Sequence, residues 1–415
     1  MPSLYHYQEQ GIAQLLAGKH FIILGTGLGK GAIGMVWAAK RCEETGKKKV
    51  LVVTTASKAH MKPNDYELDL AKWCPSSPLL KSLSSLSVIS WHKLAAWLNA
   101  NWGELSEWVI VFDEIAKAGA GVSSGMGKAF LKMTARNKDW AGFTATPGDV
   151  WLKFYPYFQA CGFVKNKTQF LNRFCVIQTF RGFPEIKKYI NEDTLKSYWK
   201  EISVAPDTSK MLAELPKEMH KTMTFKKPST YEKTLKTMTS PDGELLTTSG
   251  ALCAELRRQC FTKEKRQWVA DFVENLGDGA VMFYNFIKTG DELEEIVKKA
   301  LPKGAKIWRI DGKHHDIPTA DTIGKYDVVL CQWQSGSEAL NLQFLHYWVA
   351  IEVCYSYSTA IQARGRIKRI GQKSFMRYYY LLTDGTIEQA ILKCLQAKGE
   401  FSEEVWMAEL NERRK

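Results

Sequence analysis

Two short segments hold residues that could act on a phosphate ester. Leu24-Gly25-Thr26-Gly27-Leu28-Gly29-Lys30-Gly31 follows an apolar run and precedes a helix-like stretch. Glycines let the backbone curl so that several N–H groups point at phosphate oxygens, and a helix start adds partial positive charge. Lys30 would then reach the β- and γ-phosphates, so Gly25, Thr26, Gly27, Gly29, Lys30 and Gly31 are read as a nucleotide cradle. The second segment is Val109-Ile110-Val111-Phe112-Asp113-Glu114. A strand ending in adjacent carboxylates would place Asp113 over a Mg²⁺ ion, through water, and Glu114 beside the attacking water. A glycine-rich turn or an acidic pair is commonplace alone. The order of the two and their strand context favour the joint reading.

The residue after the cradle lysine is normally Ser or Thr, whose hydroxyl binds Mg²⁺, and here it is Gly31. Either a water or a nearby hydroxyl such as Thr26 stands in, or hydrolysis is impaired. A threonine at 31 is expected to lower the Mg²⁺ requirement, provided that the backbone there suits a helix start.

Phe21–Leu24, Val50–Val53, Val88-Ile89 and Val109–Phe112 are the apolar runs that must position these groups. With helical stretches such as Gly31–Glu44 between them, they read as buried parallel strands. Ala280–Phe283, Val328–Leu330 and Tyr347–Ile351 repeat the pattern. From Trp151 to about Lys227 the chain is aromatic and basic, with helix-like spacing. The expectation is an α/β protein of two parallel-sheet lobes, 1–150 and 228–415, with a helical protrusion or linker over 151–227.

Composition sets the frame. The 415 residues are 45% hydrophobic, enough for proper cores, and the formal charge of +13 favours an anionic partner, nucleic acid ahead of membrane. No apolar run approaches the roughly 18–20 residues of a membrane span. The first residues lack the layout of a secretory signal. The 14 tryptophans read mainly as core. The nine cysteines form no CxxC pair, which argues against a zinc ribbon or disulfide framework and fits a reducing, cytoplasmic setting. His314-His315, beside Asp311 and Asp316, reads as a solvated turn.

Further motifs carry a family resemblance. Thr144-Ala145-Thr146-Pro147 follows another strand; Gly336-Ser337-Glu338-Ala339-Leu340-Asn341-Leu342-Gln343 and Gln362-Ala363-Arg364-Gly365-Arg366-Ile367-Lys368-Arg369-Ile370-Gly371-Gln372 come later. With Leu4-Tyr5-His6-Tyr7-Gln8, Ile310-Asp311-Gly312 and Asp384-Gly385-Thr386-Ile387-Glu388, the set resembles the superfamily 2 helicases, in their Swi/Snf-like branch, from about Leu4 to Leu392. The resemblance implies two RecA-like lobes, ATP and Mg²⁺ as cofactors, and DNA as partner, duplex favoured. It implies that Gln8 contacts the adenine edge and that Gln362 belongs to the nucleotide site. Thr54, Thr55, Ser90, Trp91, Lys93, Asn285, Phe286, Ser335, Gly336 and Ser337 fall where the family grips the nucleic-acid backbone, although packing is the stronger reading of Trp91. Arg366 and Arg369, spaced i and i+3, would project from one helix face as arginine fingers, which speed phosphoryl transfer by roughly 10³–10⁵. Lys153, Lys165, Lys167, Lys187 and Lys188 offer a second duplex contact or merely a basic face.

The chain also departs from the branch. Ala339 replaces a glycine, Tyr355-Ser356-Tyr357 stands for Trp-Asn-Pro, and Ile115-Ala116-Lys117-Ala118 lacks the usual histidine. The paired arginines before Leu215-Pro216 are not evident. The reading is therefore a divergent, compact DNA-dependent ATPase, bacterial or phage in character, that translocates on duplex DNA or drives branch migration. It is expected to be a monomer, with a loading or recruiting protein left open. The rivals are an RNA or DNA-unwinding helicase of a neighbouring branch, a nucleotide-gated DNA clamp with weak turnover, and a motor subunit of a larger nuclease or modification complex.

Overall fold

Continuous apolar runs become strands covered on both faces. β1 (Phe21–Ile23), β2 (Lys49–Thr54), β3 (Leu86–Ser90), β4 (Trp108–Asp113) and β5 (Trp140–Thr144) form a parallel sheet in the order β3-β2-β4-β5-β1. Every residue of β4 is buried, and so is every residue of β2 after Lys49. The computed structural model describes residues 3–60, 64–77, 85–119, 124–180, 183–336, 340–397, 399 and 401–413. The chain divides into two units, Met1–Leu212 and Ala213–Lys415.

In the first unit, helices α1 (His6–Leu16), α2 (Lys30–Thr45), α3 (Ala56–His60) and α4 (Asp65–Trp73) lie between or before the early strands. The core is aromatic: Phe21, Trp91, Phe112, Phe130, Trp140 and Tyr157 cluster there, nearly or fully buried. Tryptophan thus serves chiefly as packing, as its abundance suggested.

The segment 151–227, expected to be helical and separate, is mixed and shared between the units. Helices Trp151–Ala160 and Lys167–Phe174 lead into β6 (Cys175–Phe180) and β7 (Phe183–Tyr189), an antiparallel pair with a register shift at Val176/Ile177. Lys187 and Lys188 lie on β7, not on a helix. Helix Glu192–Ile202 then delivers β8 (Ser203–Val204), which pairs with β1 and completes the first sheet.

The second unit opens with β9 (Glu218–Phe225), a half-exposed strand at the edge of its sheet. β10 (Ala280–Tyr284), β11 (Ile307–Ile310), β12 (Val328–Gln332), β13 (Tyr347–Ala350) and β14 (Met376–Thr383) complete a parallel sheet, ordered β11-β12-β10-β13-β14-β9. A fully buried ion pair, Lys265 Nζ to Glu388 Oε2 at 2.7 Å, ties the helices Lys263–Glu274 and Ile387–Gln396 together. Each unit is a parallel α/β lobe, as expected. The nine cysteines are free thiols. Among the described residues, no helix is long and apolar enough to cross a membrane.

Candidate active site

β1 and β4 run parallel, flanking β5, so the loops that follow them leave the same edge of the sheet. After β1 the backbone curls through Gly27 at φ 76° and Gly29 at φ 80°, left-handed conformations that cost glycine little. Gly29 caps α2, which begins at Lys30. The Lys30 ammonium folds back over the loop, donating to the carbonyls of Leu24 at 3.1 Å and Gly25 at 3.3 Å. The first turn of α1 supports the loop. Tyr7 donates its hydroxyl to the Leu28 carbonyl at 2.9 Å, and the Gln8 Nε2 lies 3.4 Å from the same oxygen. Gln8 Oε1 accepts from the Tyr5 amide at 3.0 Å, so this buried side chain forms a wall of the loop.

Asp113 ends β4 with its carboxylate buried and one oxygen heavily engaged. Its Oδ2 accepts from Tyr66 at 2.6 Å, Lys58 at 2.7 Å and Thr54 at 3.1 Å. Burial alone would push this carboxyl up, but the Lys58 ammonium and the Lys58 and Tyr66 hydrogen bonds outweigh it and hold the pKa down at about 2. Burial, then the Asp113 charge, push the Tyr66 phenol far up, so it stays a donor. The next residue, Glu114, is half-buried and holds φ 50°, a rare setting for a non-glycine residue.

Three expected nucleic-acid contacts, Thr54, Thr55 and Ser90, are corrected by burial of their hydroxyls, and Trp91 takes the packing role that was its stronger reading. Thr54 is fully buried with its hydroxyl spent on Asp113 and Tyr66. Thr55 is buried against the start of α3, its hydroxyl 3.2 Å from Ser57 Oγ. Ser90 and Trp91 are buried as well, and the Trp91 indole donates to the Asp113 carbonyl at 2.9 Å. Parallel-strand ends tuck such hydroxyls beneath the loops. Lys93 is exposed and remains available. Replacing Trp91 by phenylalanine removes both the indole N–H donor to Asp113 and part of a buried ring, so unfolding free energy should fall by at least about 1–3 kcal/mol. Denaturant unfolding measures it, and unchanged stability would show that the carbonyl finds another donor.

Gly31 lies in the first turn of α2 with no left-handed backbone. A Cβ there would stand 2.6 Å from Asp69 Oδ2 and 3.9 Å from Tyr66 Cε1. A threonine at 31, expected to ease Mg²⁺ binding, would also have to displace a carboxylate that already occupies that space. Burial, then the neighbouring Asp65, raise the Asp69 carboxyl to about 6. Sequence reasoning missed Lys58, Tyr66 and Asp69. The available signals were the glycine at position 31 and the i, i+3 spacing of Tyr66 and Asp69.

In the second unit, helix Tyr357–Arg364 carries Gln362 and ends at its Gly365 cap. Arg366 and Arg369 thus lie in the turns beyond it rather than on one helix face. Each donates a guanidinium N–H to the Leu340 carbonyl, at 3.2 and 2.9 Å. Asn285 gives its side-chain amide to the Val353 carbonyl at 2.9 Å and its backbone N–H to Glu352 at 2.6 Å. That amide is already used within the lobe. Phe286 is half-buried, with the Arg257 guanidinium 5.2 Å from its ring centroid. Ser335 and Gly336 close the short helix Trp333–Gly336, and Ser337 lies outside the described residues. His314 donates its amide to Asp311 at 2.9 Å in a turn. Among the described residues, no three His, Cys, Asp or Glu side chains form a metal cage.

No family profile matches the chain. A stretch of 157 residues is 25% identical to YqhH of Bacillus subtilis, an uncharacterised ATP-dependent helicase, covering 35% of this chain and 26% of that protein. Another, of 118 residues, is 30% identical to the DNA repair and recombination protein RAD54B of Mus musculus, covering 27% of this chain and 13% of that one. The chain therefore spans about a quarter or less of the length of these curated relatives. Among solved structures, a Sulfolobus solfataricus SWI2/SNF2 ATPase core in complex with dsDNA aligns over 96% of this chain and 91% of that chain, at 15% identity and a TM-score of 0.43. In its motif order and in the relatives it matches, this chain resembles the superfamily 2 helicase-like ATPases of the Swi/Snf-like branch.

Proposed function

We propose that the chain is an ATP-driven motor that moves along duplex DNA. The observation that carries this reading is the single edge shared by two groups: the loop ending in Lys30 and the pinned carboxylate of Asp113. Glycine-loop amides and Lys30 bind the phosphates, Gln8, buried with both amide atoms engaged, braces the loop rather than reaching the adenine edge, and Glu114 orients and deprotonates the attacking water. Mg²⁺ fits the donors present, because it prefers hard oxygens and takes one or two carboxylates while keeping several waters. When bound, it neutralises charge on the transferring phosphoryl group. Asp113 is its holder. Arg366 and Arg369 are the candidate guanidiniums for the charge that phosphoryl transfer develops.

One named relative is called an ATP-dependent helicase and the other a DNA repair and recombination protein, and the formal charge of +13 suits a polyanion. ATP hydrolysis should therefore rise with DNA, duplex most of all, when duplex DNA, single-stranded DNA and RNA are compared side by side. Because the contacts are to phosphates, affinity should fall steeply with salt and depend little on sequence. Stimulation by RNA with DNA inert would overturn the DNA assignment.

A further inference from the structure

The cradle lacks a hydroxyl at position 31, yet the space is not vacant. An ideal Cβ on Gly31 would come 2.6 Å from Asp69 Oδ2, closer than packed atoms tolerate. A carboxylate oxygen from another helix thus stands at the first turn of α2, where a Ser or Thr side chain would project.

This placement is determined by the fold. Asn64 caps α4 by accepting from the Tyr66 amide at 3.0 Å, and its own amide donates to the Lys58 carbonyl at 3.1 Å, fastening α4 to α3. α4 packs against α2. Tyr66 and Asp69, three residues apart, share one face of α4. Tyr66 on that face donates to the Asp113 carboxylate at 2.6 Å, and Asp69 meets Gly31. A single helix face therefore touches both the metal-holding carboxylate and the head of the phosphate helix.

We propose that Asp69 supplies the oxygen that Gly31 leaves out, reaching the nucleotide's divalent cation directly or through one water. This rests on the nucleotide-site reading given above. Carboxylate oxygens are ligands Mg²⁺ accepts, and Asp113 with Asp69 makes two. Gly31 and Asp69 form a matched pair: the glycine makes room, and the aspartate uses it.

The pairing has a signature that a purely structural role lacks. Without a cation, Asp69 faces the phosphates with like charge; with one, it binds the complex. The test titrates Mg²⁺ into mant-ADP with the wild type, Asp69→Asn, Gly31→Thr and the double variant Gly31→Thr/Asp69→Ala. Binding in EDTA is measured in parallel, and melting temperatures check the fold. Asp69→Asn should raise the Mg²⁺ midpoint by about 10- to 100-fold, the range seen when groups that tune a metal site are lost. Its affinity in EDTA should be equal or tighter. Mn²⁺ binding in the presence of ADP, followed by electron paramagnetic resonance, should weaken in parallel. Gly31→Thr alone should also raise the midpoint, since the new side chain displaces Asp69, and the double variant should recover it.

An unmoved midpoint in Asp69→Asn, equal weakening with and without metal, or a double variant no better than Asp69→Asn would each overturn the proposal. If the wild type and Lys30→Ala bound mant-ADP equally, or neither bound it, the nucleotide-site reading would fall as well. Normal wild-type binding with an unmoved midpoint removes only the role of Asp69.

Discussion

Lys30→Ala is expected to weaken nucleotide binding by about 10- to 100-fold and to remove most turnover. A hydrogen bond to a charged group contributes roughly 1.5–3 kcal/mol, and every 1.4 kcal/mol is about tenfold in affinity. In the resting protein Lys30 donates to the Leu24 and Gly25 carbonyls at 3.1 and 3.3 Å. Its loss strips the cradle of its cation, and any change in folding stability must be measured beside the change in binding. Fluorescent-nucleotide titration with a parallel thermal melt separates these effects. An affinity within a factor of about two of wild type would mean that the phosphates lie elsewhere.

Glu114→Gln should behave differently, keeping the nucleotide while turnover drops by about 10²–10⁴, the usual range for a lost general base. Asp113, with Lys58, Tyr66, Thr54 and the Trp91 indole around it, is untouched by the change. The variant should accumulate with ATP bound. Single-turnover hydrolysis on a pre-formed complex gives the rate of the chemical step directly. Near-wild-type hydrolysis there would move the base role to another residue.

Much of the fold was legible because buried parallel strands announce themselves. β2, β4, β10, β12 and β13 are runs of Val, Ile, Leu, Met, Phe and Trp covered on both faces, so their sequence needs no alternation. β9 is the opposite case: Glu-Met-His-Lys-Thr-Met-Thr-Phe lies at a sheet edge, only half-buried at alternate positions. β7, Phe-Pro-Glu-Ile-Lys-Lys-Tyr, carries an edge-tolerated proline and charges. Both were absorbed into a helical reading because water faces most of their side chains.

The site divided along similar lines. The loop and the acidic pair were legible because each is contiguous and ends a strand. Lys58, Tyr66 and Trp91 reach Asp113 across 55, 47 and 22 residues, and only the folded sheet brings them there. The same folding turns Thr54, Thr55 and Ser90 inward at their strand ends, so hydroxyls read as nucleic-acid contacts are buried, while Trp91 packs in the core. The arginines were expected on one helix face, yet Gly365 ends the helix before either is reached.

Glu114 has a cost attached to its backbone. At φ 50° a side chain with a Cβ pays roughly 1–2 kcal/mol that glycine would not. Glycine at this position would relax the chain and remove the carboxylate in the same step. On the proposed base role of Glu114, thermostability and catalysis make opposite demands on one residue, and a search for stabilised variants that ignored turnover should repeatedly return Glu114→Gly. Such a library would mark the proposed site by the carboxylate it discards.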